Sequence, residues 1–187
     1  SNVLFGSCHY IIMEVLPRFG ITTELVEATD LKAWEKAFQK PVAAVFIESP
    51  ANPTLTLVDL KAVCAMAKKA GAITVVDNVF ATPIYQRPLE LGADMVVYST
   101  TKYFDGQGRT LGGAILGNKA LLEEKILPFH RHTGPALSPF NAWVILKGLE
   151  TLPMRMERHV QNAQALAELI DSHPATAQTF FPGLKSF

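Results

Sequence analysis

Short apolar runs rich in β-branched residues alternate with longer amphipathic ones, and this alternation limits the fold more than any other feature of the chain. Residues 42–48, 73–77 and 95–99 are apolar almost throughout, as strands covered on both faces must be. Residues 7–19 carry a helical pattern that Gly20 closes at a C-cap position. Asp30 is placed to N-cap a helix reaching Phe38, and a further helix over 58–70 ends at Gly71. Strands are also expected at 21–26 and 114–116, a helical turn at 89–92 and a helix at 119–126. Residues 49–53 and 83–88 read as loops, and 101–113 as a polar, glycine-containing connection. The expected class is α/β, a mostly parallel sheet flanked by helices.

Past Pro128 the strands stop, and 139–149 and 154–170 are long helical patterns with no strand between them. A boundary is expected there, with 1–150 as one domain and 151–187 as a linking helix and the start of a second. The absent initiator Met and the abrupt end after Pro182-Gly183 read as a fragment. A hydrophobic content of 49% with 18% charged residues suits a packed core rather than a disordered chain. Seventeen basic residues balance seventeen acidic ones, so net charge gives no footprint for nucleic acid or an anionic membrane. The apolar runs are too short to span a bilayer, and Ser1–Phe5 lacks the basic flank and apolar run of a signal peptide. Cys8 and Cys64 have no CxxC spacing and read as reduced thiols of a cytoplasmic protein.

In parallel α/β sheets, ligands bind beyond the carboxyl ends of the strands. Three polar segments lie there: Glu48-Ser49-Pro50-Ala51-Asn52-Pro53, Asp77-Asn78, and Ser99-Thr100-Thr101-Lys102. Asn52, Asp77 and Lys102 are therefore expected to converge on one crevice. Taken singly, Asp77 reads as well as a loop acid or cap, and Lys102 as a solvated lysine. Taken together, they offer an amine able to form a Schiff base and a carboxylate to face a cationic ring, with the Ser99 and Thr101 hydroxyls as phosphate donors.

These segments, extended to Asp77-Asn78-Val79-Phe80-Ala81-Thr82-Pro83 and Tyr98-Ser99-Thr100-Thr101-Lys102-Tyr103, resemble in order and spacing three successive signatures of the Cys/Met metabolism family of pyridoxal-phosphate enzymes. The resemblance covers essentially the whole chain. It implies the large domain of fold type I, like that of aspartate aminotransferase, with 1–150 as its cofactor-binding part. It also implies pyridoxal 5'-phosphate as cofactor, borne by Lys102, with Asp77 on the pyridine nitrogen. Ser99 and Thr101 would hold the phosphate, and Asn52 would lie near the ring hydroxyl and the substrate carboxylate. A small amino-acid substrate and a homotetramer follow from the same resemblance.

Many family members carry a Gly-His-Ser-Asp-like run soon after the lysine; this chain has Asp105-Gly106-Gln107-Gly108-Arg109. That variant resembles the branch acting on O-succinylhomoserine, which implies γ-replacement by sulfide to give homocysteine. Cystathionine γ-synthase, cystathionine β-lyase and methionine γ-lyase activities are the alternatives within the family. A non-catalytic α/β fragment is the alternative outside it. The family's glycine-rich phosphate turn, ring-stacking Tyr and partner-subunit Tyr/Arg pair are expected upstream of this chain, and the Arg that clamps the substrate carboxylate downstream. The fragment alone is accordingly expected to be inactive.

Other signals carry less. His130-Arg131-His132 has no further His/Cys cluster, so no metal site is expected. Gly106-Gln107-Gly108 is not GxGxxG, because Leu111 takes the last position. Arg155, Glu157, Arg158 and His159 read as a solvated or interdomain helix face, and Phe129, Phe140 and Trp143 as core or subunit-contact aromatics.

Overall fold

A computed structural model describes all of residues 1–187. Two helices, α1 (Gly6–Tyr10) and α2 (Leu31–Ala37), precede the first strand, β1 (Ala44–Glu48). Helix α3 (Leu60–Lys69) leads to β2 (Ile73–Asp77), and the short α4 (Thr82–Tyr85) with a 3-10 turn at Pro88–Leu91 leads to β3 (Met95–Ser99). A polar turn then reaches β4 (Gly113–Gly117). The four strands lie side by side in chain order, β1-β2-β3-β4. β1, β2 and β3 are mutually parallel, and β4 closes the edge antiparallel to β3.

Caps and burial explain why these segments settle as they do. The Asp30 carboxylate accepts the Lys32 N–H at 2.8 Å and Asp59 accepts that of Ala62 at 3.0 Å, caps that each contribute about 1 kcal/mol. The core lies on one face of the sheet, where Val45, Ile47 and Val76 meet Trp34 of α2 and Val63 and Ala67 of α3. Trp34 keeps its indole satisfied by donating to the Ala28 carbonyl at 3.1 Å. Side chains alternate along a strand, so Glu48, Asp77 and Ser99 share the opposite face.

The remaining chain is helical: α5 (Lys119–Leu121), α6 (Leu127–Thr133), α7 (Pro139–Leu149) and α8 (Leu152–Asp171). No helix is long and apolar enough to cross a membrane.

Several local expectations change. Residues 21–26 are not a strand. Their link to a neighbouring extended segment is one bond, Asn2 N–H to the Val26 carbonyl at 2.8 Å, and a strand without a ladder is only extended chain. The loop expected at 83–88 contains most of α4. The helix expected at 119–126 runs on through Pro128 to Thr133 by way of a widened π turn at Leu122–Ile126. The pattern over 7–19 uses the same device, a π turn at Ile11–Val15 ahead of Pro17. Proline cannot donate and its ring crowds the carbonyl four residues back, and the looser turn relieves both problems. Phe129, Phe140 and Trp143 are not core: they are 71%, 68% and 55% exposed.

Candidate active site

β1, β2 and β3 end on the same side of the sheet, so the three polar segments emerge as neighbours. In the β1/β2 register Glu48 lies opposite Asp77. Asp77 is half-buried, and one of its oxygens accepts the Val79 N–H at 3.0 Å. None of the chain's ion pairs includes it. Burial pushes its carboxyl up to about 6, the Val79 bond pulls it down, and the Glu48 charge adds to the rise. This is a carboxylate that gains from a cation, and a protonated pyridine nitrogen is such a cation.

Lys102 sits in a tight turn directly after β3. Its N–H donates to the Ser99 carbonyl at 3.2 Å, and its own carbonyl accepts the Gly106 N–H at 2.7 Å. The side chain is exposed and lines a cleft of about 300 Å³ together with Phe80, Tyr103, Arg155 and His159. Phe80 follows Asp77 by three residues, which ties the end of β2 to the lysine. Asn52 is half-buried, and its N–H donates to Glu48 Oε1 at 2.7 Å, next to Asp77. Ser99, the last residue of β3, is half-buried on the Asp77 face. Thr101 is already engaged within the chain: its hydroxyl donates to the Gly112 carbonyl at 3.4 Å and accepts the Gly112 N–H at 3.1 Å.

The sequence assigns no positioning role to the residues that hold these groups in place. Asn78 is fully buried; its amide donates to the carbonyls of Thr82 and Gln86 and to the Tyr98 hydroxyl, at 3.2, 2.8 and 2.9 Å. Gln86 donates in turn to Asn78 Oδ1 and to the Ser49 carbonyl, so one amide pair binds all three strand ends. Arg155 takes the contact-making rather than the solvated of the two roles expected for its helix face. Its Nη2 donates to the Gly148 carbonyl at 2.8 Å, which ties α8 to α7, and lies 3.5 Å from that of Phe104, which brings both helices against the lysine turn. His159 meets Tyr103 edge-on. The Asp105-to-Arg109 segment closes on itself. Asp105 is buried, and although burial pushes its carboxyl up, the Arg109 N–H, guanidinium and charge hold it below the ordinary value. The i,i+4 spacing of opposite charges marks Asp105 and Arg109, whereas nothing in their spacing marks Asn78, Gln86 and Arg155 as partners.

The sequence profile of Cys/Met metabolism PLP-dependent enzymes matches residues 1–187. The chain belongs to that family. An O-succinylhomoserine sulfhydrylase from Mycobacterium tuberculosis is 51% identical over 186 residues, covering 100% of this chain and 46% of the relative. An L-methionine gamma-lyase from Porphyromonas gingivalis is 41% identical over 189 residues, covering 100% and 47%. The crystal structure of a cystathionine gamma synthase from Xanthomonas oryzae pv. oryzae superposes with a TM-score of 0.95 at 37% identity, over 99% of this chain and 48% of that one. The chain thus spans about half the length of the relatives it matches. The α/β class with a mostly parallel sheet holds, as does pyridoxal 5'-phosphate as the family's cofactor.

Proposed function

We propose that the protein carrying this chain performs γ-replacement on O-succinylhomoserine with sulfide, releasing succinate and giving homocysteine. The observation that carries the reading is a half-buried carboxylate outside every ion pair at the end of β2, with an exposed lysine just past the end of the adjacent β3 in a cleft that Phe80, but not Asp77, lines. In this reading Lys102 bears the cofactor, Asp77 faces its ring nitrogen, and Asn52 lies near the ring hydroxyl and the substrate carboxylate. Ser99 offers its hydroxyl to the phosphate. Thr101 does so by exchanging its long bond to the Gly112 carbonyl. Bound there, pyridoxal phosphate supplies an electron sink. Once the substrate amine had displaced Lys102 from the cofactor, the freed Nζ would take the proton from substrate Cα and move it onward, succinate would leave Cγ with the electrons of the Cγ–O bond, and the sulfide sulfur would take its place on Cγ.

Identity of 45–51% to O-succinylhomoserine sulfhydrylases supports this substrate, as does the Asp105–Arg109 segment. A lyase reading, elimination at Cγ, is favoured by the methionine gamma-lyase at 41% identity. We further assign residues 1–150 to the cofactor-binding domain and 151–187 to the linking helix and the start of the next domain. A cytoplasmic homotetramer accords with the free cysteines and with the exposed aromatics of α6 and α7.

Two assays test the assignment on the full-length protein. Borohydride reduction followed by peptide mapping is expected to put a pyridoxyl group on Lys102; label on Lys68, Lys69 or Lys119 would overturn the site. With sulfide, homocysteine is expected to form faster from O-succinylhomoserine than from O-acetylhomoserine. Preference for cysteine as sulfur donor would identify a cystathionine γ-synthase, and methanethiol release from methionine a lyase.

A further inference from the structure

We infer that Glu48 is a positioning residue of the cofactor crevice: it fastens the Asn52 loop and the entry to α1 to the end of β1 and, by its charge, strengthens the hold of Asp77 on a cationic ring. The inference rests on the proposed placement of the ring nitrogen at Asp77. Glu48 is only 5% exposed, yet no ion pair of the chain includes it. Its two oxygens accept two backbone N–H groups, Oε2 that of Phe5 at 2.5 Å and Oε1 that of Asn52 at 2.7 Å. One side chain thus joins the entry to α1, the loop carrying Asn52 and the sheet.

Fastening alone does not require a carboxylate. Burying a charge without a counter-charge is costly, and a neutral acceptor would hold one N–H at lower cost. The charge has a use because Glu48 and Asp77 are register partners on parallel strands, so their side chains leave the same face of the sheet. A like charge at that spacing disfavours the bare Asp77 carboxylate and favours any state in which Asp77 meets a cation or a proton. The Asp77 charge also reaches Cys8 of α1 and Tyr98 of β3, and Lys102, past the end of β3, makes no ion pair with it. Cys8 and Tyr98 are not cations, and no ion pair engages Asp77 or Glu48. Glu48 therefore acts through Asp77, keeping the ring nitrogen protonated, and through Asn52, holding its loop in place.

The test compares two cofactors on the full-length protein stripped of its own: pyridoxal phosphate, and the carbocyclic analogue with C–H in place of the ring nitrogen. Wild type is expected to bind the former more tightly. Asp77→Asn is expected to abolish that preference; if it does not, the placement of the ring fails independently of Glu48. Glu48→Gln is expected to cut the ratio of the two affinities several-fold, with about tenfold corresponding to one pKa unit of influence on Asp77. Equal weakening of both cofactors would reduce Glu48 to a fastener and overturn the inference. Glu48→Asp keeps the charge and shortens the reach, so it covers the case in which the Gln variant does not fold. It is expected to weaken both cofactors while preserving their ratio, and a collapsed ratio would equally overturn the proposal.

Discussion

Asp77 is a burden to the cofactor-free protein. Its carboxyl rises from an ordinary 3.8 to about 6, mainly through burial, so the fold favours the protonated form. A carboxyl raised in the folded state stabilises the fold most below its unfolded value, and that contribution is lost as pH rises through about 6. At neutral pH the penalty approaches about 2–3 kcal/mol before its partial exposure reduces it. Asp77→Asn is therefore expected to stabilise the cofactor-free protein above pH 6, little at pH 4, and to remove most turnover. Thermal melts across that range, with assays of the loaded enzyme, check both halves. The placement of Asp77, Ser99 and Lys102 at or just past strand ends was legible because an unmistakable apolar run precedes each. Glu48 was not, since its importance comes from a register partner 29 positions away, and register is absent from a one-dimensional pattern.

At the scale of elements, the lysine turn is held against α7 by a close approach that admits no side chain. A Cβ on Gly148 would fall on the Phe104 carbonyl oxygen, whereas one on Gly106 would meet only the movable end of Arg155, and glycine is favoured there by its left-handed φ of 73°. Backbone cannot step aside as a flexible side chain can. Gly148→Ala is expected to cost about 1–3 kcal/mol in chemical denaturation and to loosen cofactor binding by moving α7 off the turn. Asn78→Ala leaves several buried partners unsatisfied and is expected to cost about 3 kcal/mol while lowering cofactor occupancy, read by absorbance titration. The strands 73–77 and 95–99 were legible to the residue because continuous apolar runs bounded by polar ends leave little choice. Residues 21–26 misled because β-branched composition indicates extended backbone and cannot supply a pairing partner. The helix past Pro128 misled because a widened turn, not the proline, decides whether the chain continues.

Across the whole molecule, apolar surface remains open on the helical end: Phe140, Trp143 and Leu146 of α7 and Leu166 and Leu169 of α8 are all exposed. The chain also spans only about half of its relatives' length. Residues 1–187 expressed alone are expected to associate in light scattering and, given pyridoxal phosphate, to form no measurable homocysteine. Groups that position a substrate together can account for roughly 7–11 kcal/mol of a barrier. Turnover comparable to an intact relative would show these residues to be sufficient. The two-residue period of the strands also bears on how such a protein can diverge. A deletion within β2 that shifts its phase by one would carry Asp77 round to the packed side and present Asn78 in its place. The same slip in β3 would turn Ser99 inward and present Thr100 in its place. Strands here act as fixed rulers, so insertions and deletions should be tolerated only in the helical crossovers, where a change of length leaves the phase of each strand untouched.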